Sequence, residues 1–266
     1  MVSRPQVEVA RATGIVGDRY ADGTGYWKDS RVSRDLTLVE GEVIDDLCTT
    51  HGIDLQPGDT RRNITTRAVR LDELLGRPFW IGGFVLAEGT GPCEPCRHLE
   101  ELTGERLVRP MIHRGGLRAR ALRGGTIRVG DTIETADVHD GVGVLVVRRG
   151  RVLLSRRLAP HGAGTWAPPG GKPLAGESTL ECAARELAEE TGLVAGQGII
   201  VGESVDGFPE SRQVFLTSFV LVADVSGDPQ TREPDKHGPW EWLAWQALPA
   251  PFASLVASGW SVPATH

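Results

Sequence analysis

The chain reads as a two-domain α+β protein. Residues 1–136 form a β-rich half, and residues 137–266 form a half in which strands flank one acidic helix. Three observations predict this. A length of 266 residues leaves room for two cores. A polar run, ETADVHDG over residues 134–141, separates two strand-like stretches. The first half holds many short alternating runs between turn signals, whereas the second holds one stretch of helical period.

In the first half, Val7–Ala10 reads as a short strand, and GIVGDR from Gly14 opens a glycine-rich turn. Asp35–Val39 (DLTLV) alternates like a strand, and Glu40–Cys48 has helical spacing. After Gly58–Ile64 (GDTRRNI) and Val69–Leu75, the run Pro78–Glu88 (PFWIGGFVLAE) reads as one strand and Thr126–Thr132 as the last. Strands this short and frequent predict a β-barrel with a few helices.

In the second half, Val142–Val147 and Val152–Arg156 make a hairpin across Arg148–Arg151. Thr165–Gly171 (TWAPPGG) is a rigid turn whose glycines let backbone approach a ligand. A helix follows, capped by Ser178 or Thr179 and ended by Gly192, with Leu180, Ala183, Ala184 and Leu187 as its apolar stripe. Glu186, Glu189 and Glu190 fall within an arc of about 100° beside that stripe. Carboxylates so crowded repel unless a cation sits among them, and hard oxygen donors suit Mg²⁺ or Mn²⁺. Gly198–Glu203 and Val214–Val225 are further strands, and the loop 205–212 between them is a candidate contact for a base or sugar.

Read as one signature, Gly171, Glu177, Arg185, Glu186, Glu189, Glu190 and Gly192 resemble the Nudix box, with every fixed position present. The resemblance implies an α/β/α sandwich and a pyrophosphohydrolase that cleaves a nucleoside diphosphate linked to another group with the help of Mg²⁺ or Mn²⁺. It places Glu186, Glu189 and Glu190 on the metal with the Gly170 carbonyl. It assigns Glu177 and Arg185 to bracing the loop and helix, and Glu186 is the favoured general base. Water would attack phosphorus while cations stabilise the leaving phosphate.

TWAPPGG, together with EPDK from Glu233 and WEWLAW from Trp240, resembles the nucleoside-triphosphate diphosphatase branch similar to MutT. That implies (d)NTP substrates, damaged or modified ones included, cleaved to a monophosphate and pyrophosphate. Glu233 would complete the metal set from outside the box. Trp240, Trp242 and Trp245 either stack on a base or pack the core.

The pieces GIVGDR, GDTRRNITT, PCEPCRHLEEL, HRGGLRA and GGTIRVGD resemble a MOSC domain over about residues 10–135. The resemblance implies a β-rich barrel that binds molybdenum cofactor or carries sulfane sulfur on one cysteine, here Cys96. On the residues alone, Cys93 and Cys96 make an incomplete zinc site or a redox pair without its βαβ setting. They could also be an arginine-activated thiolate or two structural cysteines. Arg61, Arg62 and Arg97, with Arg114, Arg118 and Arg120, either line an anion pocket or pair at the surface. His113 belongs either to that pocket or to the core. A cofactor module of this kind, with the Nudix half acting on a nucleotide-linked form of the cofactor, is the alternative function.

Composition narrows the setting. With 40% apolar and 24% charged residues the chain is globular, and a net charge of −6 argues against general nucleic-acid affinity. There is no secretory leader pattern, no run long enough to span a bilayer, and only four cysteines. A cytoplasmic protein with a nucleotide substrate is expected, away from membranes, with assembly into a homo-oligomer left open.

Overall fold

The computed structural model describes residues 2–30, 32–158 and 163–244. Trp245 and the segment 247–249 lie outside the described residues. Two compact units emerge: Met1–Asp137 with Gly207–Gln213, and Val138–Asp206 with Val214–His266.

The first unit contains β1 (Gln6–Ala10), β2 (Gly14–Ile15), β3 (Leu36–Glu40), α1 (Gly41–His51), β4 (Ile64–Thr66), β5 (Pro78–Ile81) and β6 (Val85–Pro92). It continues through α2 (Arg97–Thr103), β7 (Leu117–Arg123), β8 (Gly125–Arg128) and β9 (Ile133–Thr135). Six strands form one sheet in the order β4-β3-β7-β6-β5-β9, and three form another in the order β2-β1-β8. Strand β3 is buried on both faces. Leu36 and Leu38 join the cluster of Phe79, Ile81, Ala119 and Ala121, while Val39 joins Ile44, Leu47, Leu99 and Met111 beneath α1 and α2. That is why its sequence is nearly continuous in apolar residues.

The first unit departs from the sequence reading in three places. PFWIGGFVLAE is a hairpin rather than one strand, because Gly82 turns the chain at φ +60°. Thr126–Thr132 divides between the end of β8 and a turn into β9. A strand that was not anticipated, β7, lies between β3 and β6. Its Leu117, Ala119 and Ala121 face the core and alternate with Arg118 and Arg120.

The second unit contains β10 (Asp137–Arg148), β11 (Arg151–Arg156), β12 (Trp166–Ala167), β13 (Gly170–Gly171), α3 (Thr179–Thr191) and β14 (Val194–Ala195). It ends with β15 (Gly198–Phe208), β16 (Gln213–Val222), β17 (Val225–Ser226) and β18 (Glu241–Ala244). The main sheet runs β12-β11-β10-β16-β15, with β13 on β10 and β18 on β11, and β14 pairs with β17. Residues 137–141, read as a polar break, are the start of β10. Residues 205–208, read as loop, complete β15.

Helix α3 lies against this sheet, and its Ala183 and Leu187 pack with Val144, Val146, Leu153 and Val220. Leu180 and Ala184 of the expected stripe are exposed, and the buried face instead carries Cys182, Ala183, Leu187, Glu190 and Thr191. The acidic arc therefore overlaps the core face. Among the described residues, no helix is long and apolar enough to cross a membrane.

Candidate metal centre

The start of α3 is fixed by a capping box. The Ser178 hydroxyl accepts from the Glu181 N–H while the Glu181 carboxylate accepts from the Ser178 N–H. Gly192 ends the helix at φ +72°. One wall of the site is β13. A Cβ on Gly170 would fall 2.1 Å from the Val142 carbonyl oxygen, so only glycine lets this strand pair with β10. At Gly171 the same atom would meet the Glu186 carboxylate at 2.1 Å. Gly171→Ala should push that carboxylate out of place and lower turnover about 10-fold or more while shifting the melting temperature little, since the crowded atom ends a flexible side chain. Paired kinetics and melts of the variant check this.

The box carboxylates divide into two groups. Arg185 holds the first. Its Nε and one terminal nitrogen fork onto the two oxygens of Glu177 at 2.8 Å each, and the other terminal nitrogen donates to Glu186 at 2.7 Å and Glu189 at 3.1 Å. Arg185 also donates to the Lys172 carbonyl at 3.1 Å, tying helix to turn. The Arg185 guanidinium, with the Leu174 N–H, lowers Glu177 to about 2. Glu186 moves upward instead. Burial drives it, the charges of Glu190 and Glu189 add to it, and Arg185 opposes it. Cys182 is pushed up to about 11, chiefly by burial, so this thiol is a core atom rather than a nucleophile.

Glu190 stands apart from that clamp and is only 3% exposed. One of its oxygens accepts from the Gly170 N–H at 3.0 Å, and the other lies 2.9 Å from His237 Nε2. Ligand atoms of Glu190, Glu233 and His237 all lie within 4.8 Å of one another. Glu233 also accepts from Lys236 at 2.9 Å. His237 is absent from the residues singled out in the sequence. A histidine four positions after Glu233 in EPDKH was the available signal.

Trp240 and Trp242 pack against the core cluster under α3, and the Trp240 indole N–H donates to the Glu190 carbonyl at 3.3 Å. Both therefore brace the fold, not an exposed base. The Arg156 guanidinium lies over the Trp166 ring at 5.2 Å.

The first unit holds a cavity of about 630 Å³ whose lining includes Cys93, Cys96, Arg34, Arg61, Arg118 and Tyr26. Arg62 also lines this wall, and its buried guanidinium donates three of its five N–H groups to the Thr60, Cys93 and Gly115 carbonyls, which makes it a brace between loops. Arg97 is outside the lining, with its side chain 90% exposed and 3.2 Å from Glu101. Arg114 pairs with Asp46 and Arg120 with Glu88. His113 is in neither pocket nor core, since it is exposed beside Glu94. Cys96 precedes α2 and packs partly against its apolar cluster. Arg118 carries a buried Nε with no partner among the described residues, and burial together with the nearby Arg34 charge lowers its pKa.

Comparison with known proteins follows these two units. The NUDIX domain model matches residues 137–259, and the MOSC domain model matches residues 27–134. Over 106 residues the chain is 52% identical to the oxidized purine nucleoside triphosphate hydrolase of Danio rerio, a match covering 40% of this chain and 66% of that protein. The chain thus spans just under two thirds of the length of that curated relative. Among solved structures, the MutT NUDIX hydrolase from Burkholderia pseudomallei is 32% identical. That match covers 44% of this chain and 90% of that one, with a TM-score of 0.42.

Proposed function

The chain carries an N-terminal MOSC domain and a C-terminal NUDIX domain, and we propose that the NUDIX domain is a divalent-cation-dependent pyrophosphohydrolase that converts a nucleoside triphosphate, an oxidised purine form foremost, to monophosphate and pyrophosphate. The observation that carries this reading is the meeting of the Glu190 and Glu233 carboxylates, with Glu190 held on the Gly170 N–H of the Gly170–Gly171 strand. Donors around a small cation at about 2.1 Å sit about 3 Å apart when adjacent and about 4.2 Å apart when opposite, and the Glu190 and Glu233 oxygens, within 4.8 Å of each other, need close only slightly to share one.

On this reading Glu190 and Glu233 hold the cation, and Glu186 and Glu189 join them from the Arg185 clamp. The Gly170 carbonyl contributes from the turn. Mg²⁺ or Mn²⁺ supplies Lewis acidity toward phosphoryl oxygens. Glu186, held by Arg185 beside Gly171, takes the proton from the attacking water. Glu177 and Arg185 keep Glu186 against β13.

A panel of NTPs, dNTPs, oxidised dNTPs, nucleotide sugars and NADH, with pyrophosphate and phosphate scored separately, tests the reading. Pyrophosphate from the oxidised purine triphosphates is expected, and no turnover on any of the panel with Mg²⁺ or Mn²⁺ would sink it.

The same inference takes the first domain's sheets as a barrel and the second domain as an α/β/α sandwich, working in the cytoplasm. The cavity favours a second role for the MOSC half. Two thiols and an unpartnered Arg118 Nε suit an anionic ligand with a thiophilic atom, such as molybdenum cofactor or a sulfane sulfur carried on Cys96. Elemental analysis of the purified chain separates the two roles.

A further inference from the structure

We propose that His237 is the positioning residue for Glu190, fixing the carboxylate from the side opposite Gly170 so that it is set for a cation. The inference rests on the NUDIX reading only in taking Glu190 as a ligand. A carboxylate 3% exposed needs both oxygens satisfied, and protein N–H groups can do this without occupying every lone pair. Gly170 serves one oxygen at 3.0 Å and His237 the other at 2.9 Å. A ligand held at both oxygens cannot swing when the cation leaves.

The imidazole is itself held on several sides. The His237 N–H donates to the Glu233 carbonyl at 3.0 Å, and its backbone bridges to Arg157. Its ring stacks on Trp240 with centroids 5.2 Å apart and planes at 28°. The Trp240 indole N–H in turn donates to the Glu190 backbone carbonyl, so the imidazole ring and the Glu190 backbone share one brace. The Arg232 N–H donates to the same carbonyl at 3.1 Å.

The proton's place follows from these contacts. Were it on Nδ1, the bare Nε2 and a carboxylate oxygen would face each other as two acceptors at 2.9 Å. Nδ1 is buried, with no partner among the described residues, and a donor there would go unsatisfied. The Nε2–H tautomer removes both conflicts and makes His237 the donor to Glu190. Outer partners of this kind set the orientation of a metal ligand, and their loss typically weakens cation affinity about 10–100-fold.

The test is Mn²⁺ binding to the full chain without nucleotide, followed by electron paramagnetic resonance of the free ion. His237→Ala should weaken Mn²⁺ about 10–100-fold, and His237→Gln, whose amide can donate from a similar place, should recover most of it. In turnover assays the Mn²⁺ requirement should rise while KM for nucleotide stays near wild type. Wild-type affinity in a folded His237→Ala would overturn the proposal. So would a ¹⁴N coupling to bound Mn²⁺ in the wild-type chain that disappears in His237→Gln, since that makes His237 a ligand. Should His237→Ala not fold, ¹⁵N spectra of the wild-type histidines decide instead: an Nε2–H tautomer at the signal lost in His237→Gln supports the proposal, and an Nδ1–H tautomer refutes it. A chain that binds Mn²⁺ with this dependence yet hydrolyses no nucleotide would sink the NUDIX activity and leave the role of His237 standing. A chain that binds no Mn²⁺ would sink both.

Discussion

Glu190→Gln is expected to lower turnover on the order of 10³-fold, which corresponds to the loss of about 4 kcal/mol of transition-state stabilisation from a misheld cation. The change is isosteric, so lost activity would reflect lost charge more than lost packing. Glutamine still offers an oxygen to the Gly170 N–H, and its amide can turn toward His237, whose ring can carry its proton on the other nitrogen. A stability cost of about 1 kcal/mol covers that adjustment. Circular dichroism and a thermal melt run beside the kinetics separate the two effects. Near-normal turnover in a folded Glu190→Gln would remove Glu190 from the metal set and with it the main support for the proposed chemistry.

Some of this site was legible before the fold was known, and the rest was hidden for physical reasons. The capping serine, the C-terminal glycine and the run of glutamates are local features, and local features survive in sequence order. The face that α3 buries is not local. The sheet beneath it selects Cys182 and Glu190 over Leu180 and Ala184, and hydrophobicity alone would not choose a glutamate for the core. His237 meets Glu190 across 47 residues, through the pairing of β18 with β11 and the bridge to Arg157, so no window of sequence contains the contact.

In the first domain the arginines of β7 mask its strand pattern. LRARALR alternates buried and outward positions, and its arginines are the outward half of that period of two, so they carry a strand signal as much as an anion-binding one. The bracing role of Arg62 is hidden in the sequence for the complementary reason. Its guanidinium donates to three carbonyls that only the folded loops bring together.

Arg185→Leu should cut turnover by about 10–100-fold and alter the acid side of the stability profile. The guanidinium reaches Glu177, Glu186 and Glu189 at once, and its removal frees Glu186 and Glu189 to repel each other and Glu190. The signs of the two pH effects differ. Glu177 is lowered from 4.5 to about 2 in the folded chain. Its ion pair therefore contributes fully above about pH 4.5 and is lost as pH falls toward 2. Melting temperatures of the wild-type chain should fall through that window, and Arg185→Leu, already without the pair, should fall less steeply.

Glu186 is raised, so its charged form costs stability at neutral pH and protonation relieves that cost as pH falls. Arg185 is the group that restrains this rise. Without it Glu186 should take up its proton at higher pH, and the acid limb of kcat/KM should move upward in Arg185→Leu if Glu186 is the general base. An acid limb that stays in place while turnover falls would assign Arg185 to holding the loop and give the proton-accepting role to another carboxylate.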